Sequence, residues 1–155
     1  MIPTATVTET TLSPESALHA RVGPGDFLDC YSVGADVPAR RAAEIITDFP
    51  GWARFLLQIR RLVTAPFGLS QDGPQAADKV GPFPVEQDTE TEMIAGFDDK
   101  HLNFRVSVLS RDGRVSLATW VHPHNAGGRL YLAAIMPFHI LIARNALARV
   151  ARHSA

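Results

Sequence analysis

A chain of 155 residues with a formal net charge of −1, from 15 basic and 16 acidic side chains, fits one domain and lacks the basic excess of a nucleic-acid-binding surface. At 46% apolar it can build a core at this length, and its one cysteine, Cys30, excludes an intrachain disulfide framework and a cysteine-rich metal site. The opening MIPTATVTETTLSPES has neither a basic start nor an apolar run, so no secretory leader is read and a reducing, cytoplasmic setting is expected.

In chain order, residues 1–25 read as a flexible N-terminal arm punctuated by Pro3, Pro14, Gly23 and Pro24, with a short helix allowed after Ser13 and the domain proper over 26–155. DFLDCYSV, 26–33, is the first strand. A helix follows, with Asp36 as N-cap, Pro38 near its first turn, and Ala42, Ala43, Ile45, Ile46 and Phe49 as its apolar stripe; Pro50 ends it. Trp52, Phe55, Leu56, Ile59, Leu62 and Val63 recur at helical spacing and predict a second helix over 51–64. Residues 67–77 form a loop, and Pro82 and Pro84 limit 79–85 to an edge strand.

Residues 88–97, 101–110 and 115–125 then read as a three-strand antiparallel meander, separated by Asp98-Asp99-Lys100 and by Asp112-Gly113, a hairpin dipeptide. From Gly128 the period becomes helical to the end, with Pro137 expected to kink or split the helix. Its apolar stretch, 130–143, contains His139 and is shorter than a membrane span, so it reads as a core helix. Strands and then a helix in this order give an α+β class.

If both turns are two-residue loops, Ala95 faces Phe104 and Met93 faces Val106. Phe104 then meets Val121, Val106 meets Thr119 and Val108 meets Leu117, which makes one apolar face to pack on the C-terminal helix. The opposite face pairs Arg105 with Trp120, Asn103 with His122, and His101 with His124. Three uses compete for this patch: a solvated face with Arg105 stacked on Trp120, a polar pocket lining, or a three-histidine zinc site. Pro123 interrupts the strand and no carboxylate is placed behind the histidines, so no metal is assigned. Cys30 reads as a small buried side chain, Asp98 and Asp99 as turn formers, and His139 as a hydrogen-bonded core histidine. No phosphate-binding glycine loop and no nucleophile elbow occurs, and no cofactor is expected.

The strings PGWARFLLQIRRLV, FGL, FDDKHLNFRVSV and HNAGGRLYLAAIMPFHILIAR, in that order, resemble the domain of unknown function 2867 family from about residue 26 to 152. The resemblance implies a helix-grip fold similar to the START and polyketide cyclase superfamily (SRPBCC). There a curved antiparallel sheet wraps a long C-terminal helix and leaves an apolar cavity. Pro50, Trp52, Arg60, Gly68, Asp99, His101, Phe104, Arg105, His124, Asn125, Gly128, Arg129, Tyr131, Pro137, Phe138 and His139 match the family pattern. Asn103 stands where Asp is frequent, and Ile140 where Arg commonly follows the histidine, so both changes remove a charge. The resemblance lends no reaction, although related domains occur behind nucleotide-sugar-epimerase-like domains.

The expected function is binding of a hydrophobic or amphipathic small molecule between sheet and C-terminal helix, in a monomer or homodimer. Trp52, Trp120, His124, Asn125, Tyr131 and His139 would line the site, and His101, Arg105 and Arg129 would orient a carboxylate or carbonyl. The alternative is a cofactor-independent cyclase, dehydratase or isomerase, with His101 or His139 moving a proton and Arg105 and Tyr131 stabilising an enolate.

Overall fold

The computed structural model describes residues 6–49, 51, 52, 54, 55, 58, 78–80, 83–98 and 102–154. Seven antiparallel strands form one curved, open sheet: β1 (Thr8–Glu9), β2 (Phe27–Gly34), β3 (Lys79–Val80), β4 (Phe83–Asp88), β5 (Glu92–Asp98), β6 (Leu102–Arg111) and β7 (Arg114–Pro123). Their order across the sheet is β1-β2-β7-β6-β5-β4-β3. Helix α1 (Ala39–Thr47) and the 29-residue α2 (Ala126–Ser154) complete the α+β fold, which is consistent with a helix-grip arrangement. Residues 51, 52, 54, 55 and 58 are helical, as the 51–64 periodicity predicts; the expected loop at 67–77 lies outside the described residues.

The hairpin at Asp112-Gly113 pairs Arg111 with Arg114 across a two-residue loop, both loop residues having positive φ (54° and 74°). That is a primed turn, whose twist matches the flanking strands and fixes the β6–β7 register as read. The β5–β6 register differs: Met93 pairs with Val108 and Ala95 with Val106. β5 ends at Asp98 and β6 begins at Leu102, and the slip is two, so each side chain keeps its face. Residues 89–91 are not strand, because a β4–β5 hairpin turns there through Thr89, whose Oγ1 accepts from Glu92 N–H. Pro84 sits in β4 opposite Lys79 of the edge strand β3. Pro38, rather than Asp36, takes the N-cap position of α1 and makes no side-chain cap bond. Pro137 is accommodated within a continuous α2 and does not split it.

The main core joins one sheet face to α1 and the C-terminal half of α2. Val33, Met93, Val115, Ala146, Leu147 and Val150 are buried there, with Ala39, Ala42, Ala43, Ile45 and Ile46 from α1. At about 25 cal/mol per Å² of apolar surface, these side chains supply most of the folding drive. Arg149 ties the two helices by donating to the carbonyls of Ile46 and Asp48, at the negative end of the α1 dipole.

The segment read as an arm lies against the other sheet face. Thr8 and Glu9 pair with Ser32 and Tyr31, and a 3₁₀ turn at Ala17–Ala20 is capped by Ser16. Leu18 closes a second cluster over Cys30, Ala118 and Trp120. Glu92, buried on this face, accepts hydrogen bonds from Ser16, Ser107 and the Ala17 N–H and so ties the segment down.

Candidate functional site

Each sheet face carries polar side chains, and the two sets are chemically distinct. On the outer face Trp120 is buried, and its Nε1–H donates to Asp26 Oδ2 at 2.9 Å. His122 Nδ1 lies 2.6 Å from Asp26 Oδ1, and the Gly23 N–H donates to Asp26 at 2.9 Å. Burial alone would raise the Asp26 pKa, but the bonds from His122, Gly23 and Trp120 outweigh it and hold the carboxyl below its ordinary range. His124 pairs with Asp98 at 2.6 Å, and the two histidine rings meet edge to face 5.7 Å apart. Arg105 and Arg21 both donate to Glu86, and Arg105 also donates to Asn103 and the Phe104 carbonyl. Glu86 is likewise depressed: its own desolvation is overcome by the two guanidinium groups.

Arg105 is the ladder partner of Trp120, as read, but the guanidinium over the indole is that of Arg21, 5.8 Å from the ring centroid. The cause is reach, since Arg105 turns toward Glu86 on β4 while Arg21 arrives on the segment that covers this face. Arg21, Arg105, His122 and His124 thus each have an internal carboxylate partner. The cluster neutralises itself, and Trp120 is part of a small core instead of a solvated surface.

The inner face holds a smaller constellation. Strand alternation on β2 places Phe27 and Asp29 on the same face as the core residues Tyr31 and Val33. Asp29 faces Thr119, a buried polar residue, on β7. His139 Nε2 of α2 lies 2.9 Å from Asp29 Oδ2, and its ring meets Phe27 edge-on at 6.3 Å. The other oxygen, Asp29 Oδ1, is buried and has no hydrogen-bond partner among the described residues. The next row across the sheet is Phe27, Val121, Phe104 and Phe97, with Phe83 edge-on to Phe104 at 5.5 Å. Phe97 packs on Phe104 at 4.9 Å. These four phenylalanines are only half-buried. On α2, Tyr131 and Ile135 lie two turns and one turn before His139 on its face, and both are half-buried.

A family model described as "Protein of unknown function (DUF2867)" matches residues 22–146, most of the chain. The chain belongs to the DUF2867 family. No curated protein and no solved structure matches it. In this DUF2867 protein, Arg105, Trp120 and His124 gather on the outer face, and His139 and Tyr131 on the helix side of the sheet. Asn125 Oδ1 accepts the Gly128 N–H at the start of α2, and Arg129 is exposed in its first turn. Trp52 is 39% exposed, and His101 lies outside the described residues. Among the described residues no group of three potential ligands could hold a metal ion.

Asp26, Asp29 and Asp98, the carboxylates that orient the three histidines, are missing from the sequence-derived site. Two of them sit about a hundred positions from their partners, beyond any local pattern. Cys30 is buried, as expected, and its thiol is pushed up to about 11 by desolvation first and the Asp29 charge second, which makes it a poor nucleophile. A groove of about 320 Å³ is outlined by residues 10–15 with Ser32, Leu109, Arg111, Asp112, Arg114 and Ser116; it contains none of the expected site residues.

Proposed function

We propose that this protein binds an apolar or amphipathic small molecule between the phenylalanine row of the sheet and the N-terminal half of α2. The observation that carries this reading is incomplete packing. Helix α2 is long and apolar enough to cross a membrane by length and composition, yet only 17% of its apolar stretch is buried. Its C-terminal half packs in the main core, and in its other half the His139 ring meets the half-buried Phe27 edge-on. Apolar walls with a few placed polar groups describe a ligand site better than a finished core.

The test is titration with 8-anilinonaphthalene-1-sulfonate (ANS), a fluorescent amphipathic probe. The wild-type protein is expected to bind it saturably near one equivalent, and Phe104→Ala to weaken binding by about tenfold, or about 1.4 kcal/mol. Non-saturable fluorescence, or equal binding by the variant, would defeat the reading.

The Asp29–His139 pair supports a second reading, an enzyme without cofactor. A carboxylate that accepts from Nε2–H fixes the imidazole tautomer and leaves Nδ1 as the basic nitrogen. His139 would then move the proton. Turnover of a bound compound that His139→Gln abolishes without loss of binding would favour it.

A further inference from the structure

The cleft reading uses the side of α2 that carries Tyr131, Ile135 and His139. The opposite side is a separate observation. Leu130, Ala133, Ala134, Pro137, Phe138 and Leu141 are all exposed, Leu130 at 73% and Leu141 at 56%. At 3.6 residues per turn they fall within one arc of about 140°, along about 17 Å of helix. A helix packed on a sheet ordinarily turns charged and polar side chains outward. None of the exposed positions from Leu130 to Leu141 carries one.

Charge stands at the two ends of this strip. Arg129 precedes it, Arg144 and Arg152 follow it on the same arc, and all three are exposed. Among the described residues none of the three forms an ion pair with a carboxylate. Arg144 gives one N–H to the Val7 carbonyl. The 29 residues of α2 include no Asp or Glu.

We propose that this face of α2 docks on the surface of an anionic lipid bilayer, with the apolar strip at the acyl boundary and the arginines at the lipid phosphates. The helix lies along the surface instead of crossing it, because Ala143, Ala146, Leu147 and Val150 hold its C-terminal half in the protein core. Burial of the strip supplies binding to any bilayer, and each arginine near an anionic surface adds about fivefold. A guanidinium fork also matches phosphate oxygens. A second copy of the chain fits the strip less well. An antiparallel pair centred on it would set Arg129 of one copy beside Arg144 of the other, twice, and a parallel pair would set each arginine beside its own counterpart. No acidic side chain on either helix would relieve that repulsion.

The test is flotation of the whole chain with vesicles of phosphatidylcholine alone and of phosphatidylcholine with about one-third phosphatidylglycerol. Wild type is expected to partition onto the anionic vesicles more strongly by about tenfold or more. Leu130→Gln/Leu141→Gln should lower that partitioning by about tenfold or more, with an unchanged urea midpoint because both positions are exposed. Arg129→Gln/Arg152→Gln should lower it by about twentyfold on anionic vesicles and little on neutral ones. No flotation of wild type, equal partitioning onto the two vesicles, or unchanged partitioning of a folded leucine variant overturns the inference. So does a wild-type dimer in analytical ultracentrifugation that the leucine variant dissociates, since a second copy then covers the strip. If circular dichroism shows that the leucine variant does not fold, the lipid preference and the arginine variant decide. Phe104→Ala, expected to weaken ANS binding, should float like wild type, so the cleft reading and this inference can fail separately.

Discussion

The two halves of α2 lie along one sheet and are finished differently. Toward its C-terminus, Ala143, Ala146, Leu147 and Val150 are buried against α1 and the sheet. Toward its N-terminus, Leu130, Phe138 and Leu141 are exposed, and Tyr131, Ile135 and His139 are half-buried, with the His139 ring edge-on to the half-buried Phe27. Composition does not separate the halves, because both are apolar. What separates them is whether α1 is present as a third layer. Where it is, the helix contributes stability; where it is not, among the described residues, apolar side chains stay half-exposed and one carboxylate oxygen lacks a donor.

The sharpest test of this contrast is a pair of substitutions on α2. Leu147→Ala, at a fully buried position, is expected to lower the unfolding free energy by about 2–5 kcal/mol. Leu130→Ala, at a position 73% exposed, should change it by less than about 0.5 kcal/mol. Urea denaturation measures both, and similar losses would erase the distinction.

Glu92→Gln comes next. The amide keeps one acceptor but loses the charge that holds Ser16, Ala17 and Ser107, at a cost of about 1–3 kcal/mol. Limited proteolysis should then cut within residues 10–22 before it cuts the sheet.

The smallest effect is a pH dependence from the outer face. The folded Asp26 carboxyl titrates below its ordinary value, so the folded state is favoured by the ionised form. That contribution is complete above the unfolded pKa and is lost as the pH falls through the folded one, below about pH 4. Glu86 acts in the same direction. Asp26→Asn should flatten the acid limb of the urea midpoint plotted against pH; an unchanged limb would show that the Asp26 bonds contribute nothing there.

Much of the fold was legible because short signals fix it. Asp112-Gly113 set the β6–β7 register, and the apolar alternation of β5, β6 and β7 identified the face that meets α2. The β5–β6 register was off by two because an acidic turn does not reveal its loop length, and the β4–β5 hairpin was missed because Thr89-Glu90-Thr91 carries no Gly, Pro or Asn. The candidate site was less legible. Arg105, Asn103, Trp120 and His122 were placed on one face correctly. Their partners Glu86, Arg21 and Asp26 come from other elements, and alternation along three strands cannot supply them. His139 stood out as a polar residue in an apolar helix, but Asp29 on β2 did not, since a single carboxylate in a strand looks like an outward-facing one.

The docked N-terminal segment has a practical consequence for cloning. The family model covers residues 22–146, yet Leu18 lies before that interval and Leu147 and Val150 lie after it, all three fully buried. Val7 and Ala151 also pack on the core. A fragment trimmed to the matched interval would uncover the Trp120 cluster on one side and open the α1–α2 contact on the other. The smallest expression unit that keeps both hydrophobic clusters sealed therefore runs from residue 7 to residue 151 or beyond, and aggregation of shorter versions would report their trimmed ends, not an intrinsically unstable domain.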